Sequence, residues 1–142
     1  MLGTTWKASE YSWADFSADA REIVRRLRQD APYELIYAIP RGGLVLGVYL
    51  SHTFNLPLLT ADAVAPEMLE GARTLVVDDN TITGESLAPY VAHGIACAVL
   101  LHNPESAVEP TYFARTTTDF PIFPWEADAC VAATDGAKVL AE

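Results

Sequence analysis

Apolar residues recur along this chain at two different spacings. From Ser12, Trp13, Phe16, Ala20, Ile23, Val24 and Leu27 fall at three- and four-residue steps, the pattern of one helix face. Ser12 is placed to cap that helix, with Asp15 in the capping-box position three residues on. Arg21, Arg25, Arg26 and Arg28 then fall on the solvent side and toward the C-terminus, where they complement the helix dipole. Three continuous apolar runs, residues 35–39, 75–77 and 95–101, have the length and branching of buried strands. Residues 56–59 read as a short edge strand, because Pro57 has no N–H for a central ladder. Leu44, Val45, Val48, Tyr49 and Phe54 mark a second helical face. Residues 87–92 mark a short third helix that tolerates Pro89 in its first turn. Residues 60–71 predict a loop or irregular helix. Residues 119–126 form an aromatic, proline-stiffened segment that is no regular helix. Residues 1–10 carry no strong signal, and the tail from Asp128 is ambiguous.

Strand, turn and helix in succession predict an α/β fold: a Rossmann-like parallel sheet with flanking helices and right-handed crossovers, in a single domain over residues 1–142. Ligand turns in such sheets gather at the carboxyl ends of the strands. That topology brings together Arg41-Gly42-Gly43, the Asp78/Asp79 pair and His102-Asn103. After residues 75–77 come the two carboxylates and then Thr83-Gly84-Glu85-Ser86, whose backbone N–H groups can converge on one phosphate. Taken alone, the stretch equally fits an acidic turn with Ser86 as a helix cap. The glycines of the Arg41-Gly42-Gly43 turn leave amides open to an anion beside a cation, which favours a ligand. His93 and His102 read as ordinary surface or cap residues.

Composition narrows the partners. Over 142 residues the formal net charge is −10, which opposes nucleic acid or an anionic membrane surface as a partner. No run has the length of a membrane span and no basic-then-apolar leader opens the sequence, so the expectation is a soluble, cytoplasmic chain. Cys97 and Cys130 share no metal-ligand spacing and read as small core hydrophobes. With so few basic residues, an anionic ligand is expected to need backbone amides and a metal ion more than a basic cleft.

Val76-Val77-Asp78-Asp79, followed by Thr83-Gly84 and Ser86, resembles the 5-phosphoribosyl 1-pyrophosphate motif of the type I phosphoribosyltransferases. Ala38-Ile39-Pro40-Arg41-Gly42-Gly43-Leu44-Val45 resembles their pyrophosphate loop. The similarity spans residues 11–126 and is greatest to bacterial and archaeal xanthine–guanine or hypoxanthine enzymes. These share the Trp-containing first helix and the late Phe123-Pro124-Trp125-Glu126 segment. The resemblance implies transfer of a phosphoribosyl group to guanine, xanthine or hypoxanthine, giving a nucleoside monophosphate and pyrophosphate. It implies that Asp78 and Asp79 bind the ribose hydroxyls and Mg²⁺, and that they and Arg41 are the catalytic residues. Thr83, Gly84, Glu85 and Ser86 would hold the 5-phosphate, with Thr81 and Ile82 beside them among the substrate-binding residues. Arg41, Gly42 and Gly43 would hold pyrophosphate, with Pro40–Arg41 matching a bond that is often cis. Phe120 would stack on the purine, Pro121 and Ile122 would read its edge, and Asn103 stands where a Lys meets the purine carbonyl. A homo-oligomer, dimer or tetramer, is implied as well.

Three features depart from that pattern. Ile82 occupies the position where the purine enzymes place a carboxylate. Residues 60–71 are short and hold no Lys or Arg, which predicts a reduced lid or hood. Asn103 donates a hydrogen bond but carries no charge. These features keep two alternatives in view: a non-catalytic regulatory module that binds phosphoribosyl ligands, and a transferase for a non-purine or modified base. Asp79 is expected at a solvent-facing strand end, and Ile82→Asp is expected to be tolerated.

Overall fold

The computed structural model describes residues 7–126. Its elements, in chain order, begin with β1 (Ala8–Glu10), α1 (Trp13–Leu27), β2 (Leu35–Ala38), α2 (Leu44–Phe54) and β3 (Leu58–Leu59). A 3-10 turn at Pro66–Leu69 leads to β4 (Thr74–Val77) and β5 (Asn80–Thr81). Then follow α3 (Ala88–Ala92), β6 (Ala96–His102), β7 (Tyr112–Thr116) and β8 (Phe120–Ile122). The predicted capping box is present: Ser12 Oγ accepts the Asp15 N–H at 3.0 Å, and Asp15 Oδ2 accepts the Ser12 N–H at 2.9 Å.

Strands β3, β2, β4 and β6 lie side by side in that order, and every pairing is parallel. β5 continues the line of β4 along one edge of β6, with Val77 opposite Ala98 and Asn80 opposite Leu101. β7 takes the other edge. Alternation along the strands divides the core into two layers. Ile36, Leu75, Val77, Ala98 and Leu100 pack with Phe16, Ala20, Ile23 and Val24 of α1 and Leu46 and Leu50 of α2. Tyr37, Val76, Cys97 and Val99 pack with Val64, Leu69, Leu87 and Tyr90. This is the doubly covered parallel sheet that the sequence predicts.

Two strands go beyond the sequence pattern. β7 buries only Tyr112, and its Phe113-Ala114-Arg115-Thr116 stretch lacks the continuous apolar run that marks an inner strand. β1 is polar and mostly exposed, so nothing in its own sequence specifies it. It exists through its partner, pairing in parallel with β8 as a separate two-stranded ribbon. Among the described residues, no helix is long and apolar enough to cross a membrane.

Candidate functional site

The β4 ladder breaks at the two carboxylates. Asp78 N–H still donates to Ala98 O at 3.0 Å. Beyond it the Asp79 carbonyl accepts both Leu100 N–H (3.0 Å) and Leu101 N–H (3.4 Å) before β5 resumes pairing. The break brings two successive carboxylates to the end of the strand. Asp78 Oδ1 accepts the Asp79 N–H at 2.8 Å. Asn80 clips the turn from the other side: its Nδ2 donates to Asp79 Oδ1 at 3.0 Å and its Oδ1 accepts the Ile82 N–H at 2.9 Å. Asn80 is absent from the residues singled out in the sequence, although Asn after a strand is a turn signal. Asp78 and Asp79 are 6% and 8% exposed, so the expected solvent-facing strand end is corrected to a recessed one. Burial, aided by the Asp78 charge, pushes the Cys97 thiol up to about 12.

The turn after β2 lies against this pair. A Cβ on Gly42 would fall 2.5 Å from Asp79 Oδ2, and one on Gly43 would collide with the Val77 carbonyl. Only glycine lets that backbone approach so closely. The Pro40–Arg41 peptide bond is cis, as the resemblance implies. Arg41 is exposed, and among the described residues no carboxylate lies within ion-pair distance of it.

The third turn begins beyond β5. Gly84 has φ +84°, a left-handed conformation that suits glycine. The Thr83 carbonyl accepts Ala107 N–H at 3.0 Å, and Thr83 Oγ1 accepts Glu85 N–H at 3.3 Å. Glu85 and Ser86 are exposed. Leu87, not Ser86, is the N-cap of α3, and no side chain caps it. Thr81 and Ile82 are 1% and 5% exposed, so their side chains serve the interior, and the Thr81 carbonyl and Ile82 N–H are taken by Asn103 N–H and Asn80 Oδ1. The Thr81 hydroxyl lies 2.7 Å from His102 Nδ1, in a hydrogen bond whose direction follows the His tautomer. His102 is therefore no surface residue: it is buried against Phe113, and burial lowers its pKa. His93 is exposed, as expected.

Asn103 is buried, and its Oδ1 accepts Glu105 N–H at 2.9 Å, shaping the turn after β6. Phe120 is also buried, with its N–H donating to Lys7 O at 2.7 Å. The Ile122 carbonyl accepts Tyr11 N–H at 3.0 Å, and Pro121 has no N–H to offer. Of the backbone groups expected to read a base edge, the Ile122 carbonyl thus already serves the ribbon. The ribbon lies near the carboxyl ends of the strands, because β8 starts shortly after β7 ends with Thr116 opposite His102.

In sequence, no protein-family model matches the chain, and no curated protein does. Solved structures do match. Purine phosphoribosyltransferase from Pyrococcus horikoshii Ot3 aligns with a TM-score of 0.70 at 25% identity, covering 84% of this chain and 93% of that one. The chain has the type I phosphoribosyltransferase fold. The xanthine-guanine-hypoxanthine phosphoribosyltransferase of Helicobacter pylori aligns with a TM-score of 0.76 at 21% identity, covering 91% of this chain and 99% of that one. A hypothetical protein from Neisseria gonorrhoeae with bound ppGpp aligns with a TM-score of 0.70 at 15% identity, over 89% and 94% of the two chains. At such identities these last two likenesses speak for the fold alone.

Within this phosphoribosyltransferase fold the crossover from β3 to β4 is tied down. Tyr37 OH donates to Ala61 O at 3.0 Å, Tyr90 OH donates to Val64 O, and Val64 and Leu69 are buried. Its one nearby cation, Arg73, is engaged elsewhere, donating to Ala31 O and lying 4.3 Å over the Tyr33 ring. An apolar cavity between Leu27, Tyr33, Phe54, Leu56 and Leu75 touches none of the candidate site residues. Among the described residues no cluster of three or more His, Cys, Asp or Glu is set to hold a metal. Asp78 and Asp79 nonetheless fit Mg²⁺, which takes one or two carboxylates and completes its shell with substrate oxygens and water.

Proposed function

We propose that this chain is a Mg²⁺-dependent transferase that moves a phosphoribosyl group from 5-phosphoribosyl 1-pyrophosphate to a purine base. Guanine, xanthine and hypoxanthine are the acceptors that the reading favours. The observation that carries the proposal is the contact of the Gly42 backbone with the Asp79 carboxylate. It joins a turn suited to pyrophosphate to a turn suited to ribose, with a third turn, Thr83 to Ser86, suited to the 5-phosphate. In this reading Asp78 and Asp79 accept hydrogen bonds from the ribose hydroxyls. Arg41 and the Gly42 amide hold pyrophosphate as it leaves, the Gly43 N–H being donated to Ile39 O at 2.9 Å, and their fixed charge and dipoles favour the state in which negative charge develops there. Magnesium, when bound by the two carboxylates, supplies positive charge that offsets the charge of the leaving group. The base nitrogen displaces pyrophosphate at the anomeric carbon through a state with oxocarbenium character. Phe120 packs on the base, and Asn103 donates to it. Ile82 supplies no proton acceptor, so the base is not deprotonated from that position. A cytoplasmic homo-oligomer completes the proposal.

Ile82 and the pinned crossover favour a second reading, in which the same pocket senses a phosphorylated guanine nucleotide without turnover. The Neisseria gonorrhoeae protein with bound ppGpp is consistent with such a use of this fold. Both readings require the carboxylates. Asp79→Asn, which keeps the Asp79 shape, should weaken Mg²⁺-dependent binding of phosphoribosyl pyrophosphate by about tenfold or more. Calorimetry with and without Mg²⁺ measures it, and unchanged affinity would overturn the site assignment.

A further inference from the structure

The ribbon of β1 and β8 shares no ladder with the six-stranded sheet that carries Asp78 and Asp79. Its placement against that sheet depends on its chain connections and on side chains. Tyr11, directly after β1, holds the ribbon from three directions. Its N–H donates to Ile122 O at 3.0 Å, its ring meets the Phe123 ring edge-on at 4.8 Å, and its hydroxyl donates to Asp19 Oδ2 at 2.7 Å. Asp19 lies on α1 and is 7% exposed. Across from it, Arg115 on β7 brings Nε to 3.0 and 3.1 Å from the two Asp19 oxygens. Arg115 is in register with Leu101 on β6, one residue from the His102–Thr81 contact that closes the carboxylate turn. Tyr11, Asp19 and Arg115 thus form a polar bridge from the ribbon to the sheet.

We propose that Tyr11, Asp19 and Arg115 are positioning residues that set Phe120–Ile122 against the phosphoribosyl site and thereby govern acceptor binding. The proposal rests on the reading of that segment as the base platform. Stability alone does not require such a bridge: Arg115 is exposed while Asp19 is buried, and an ion pair with one partner in solvent contributes little. Phe123, fully buried and stacked on Trp125 at 4.7 Å, already supplies apolar packing. What the bridge adds is direction. A hydroxyl, a carboxylate and a guanidinium bond at defined angles and fix how the ribbon lies, whereas apolar contacts tolerate sliding. None of the three residues belongs to the turns assigned to phosphate, pyrophosphate or ribose.

Tyr11→Phe keeps the ring and removes only the hydroxyl. In steady-state kinetics it should raise KM for the purine about tenfold while KM for phosphoribosyl pyrophosphate stays within about twofold. Arg115→Met should do the same, and Arg115→Lys, which keeps a donor cation, should recover most of the loss. A fall in thermal stability with both KM values unchanged would make the bridge merely structural and overturn the proposal. So would a parallel rise of both KM values. Hydrogen exchange provides a readout that needs no turnover. In Tyr11→Phe the backbone N–H groups of Phe120 and of position 11 should exchange faster while those of β4 and β6 stay protected. Unchanged exchange in the ribbon would overturn the proposal even if the enzyme is active. Faster exchange in an inactive protein would leave the bridge standing and remove the catalytic reading instead.

Discussion

At position 42 the lack of a side chain decides whether two ligand turns can touch. A methyl there would meet the Asp79 carboxylate at 2.5 Å, and the backbone of Gly43 is confined by Val77 on its other side. Gly42→Ala should therefore cost about 1–3 kcal/mol from overpacking. It should also reduce phosphoribosyl pyrophosphate binding, read by denaturant titration and calorimetry on the same sample. Ile82 obeys the opposite constraint. It is buried, so a carboxylate there would lose its hydration without a designed partner, and this burial argues against the expectation that Ile82→Asp is tolerated. That variant should lose about 2–4 kcal/mol, measured by urea unfolding, rather than gain activity with hypoxanthine. The meeting of the Gly42 turn with Asp79 was legible because turns at the carboxyl ends of neighbouring parallel strands gather on one side of the sheet. Asn80 was not, because its role lies in two hydrogen bonds that only the folded turn defines.

Among the elements, those that bury a continuous apolar face announce themselves and those that depend on a partner do not. Residues 35–39, 75–77 and 95–101 predicted β2, β4 and β6 to within a residue or so at each end. β1 takes its strand form from β8, and β7 from the free edge of β6, so neither has a pattern of its own. The end of β6 also carries a pH dependence. Burial holds the His102 pKa below its ordinary value of 6.5, with Glu109 opposing weakly. The folded protein therefore binds a proton there less readily than the unfolded chain. Its contribution is complete above about pH 6.5 and declines as pH falls from there toward the folded pKa. His102→Gln should flatten the slope of unfolding free energy against pH in that window. An unaltered slope would show that other groups produce it.

For the molecule as a whole, a net charge of −10 sits beside the site proposed above for a polyanion. On that proposal Arg41 and backbone amides would supply the attraction within the protein and Mg²⁺ would supply more when bound, so affinity for phosphoribosyl pyrophosphate should depend strongly on Mg²⁺. The crossover from β3 to β4, pinned by the Tyr37 and Tyr90 hydroxyls, leaves little scope for a closing lid from that segment. Phosphoribosyl transfer is tested most directly by pyrophosphate release from phosphoribosyl pyrophosphate and Mg²⁺ across a panel of purine and pyrimidine bases. Release should depend on guanine, xanthine or hypoxanthine and yield the matching nucleoside monophosphate. Tight binding with no release for any base would contradict the transferase and leave a sensor, and release only with a non-purine base would contradict the acceptor assigned here.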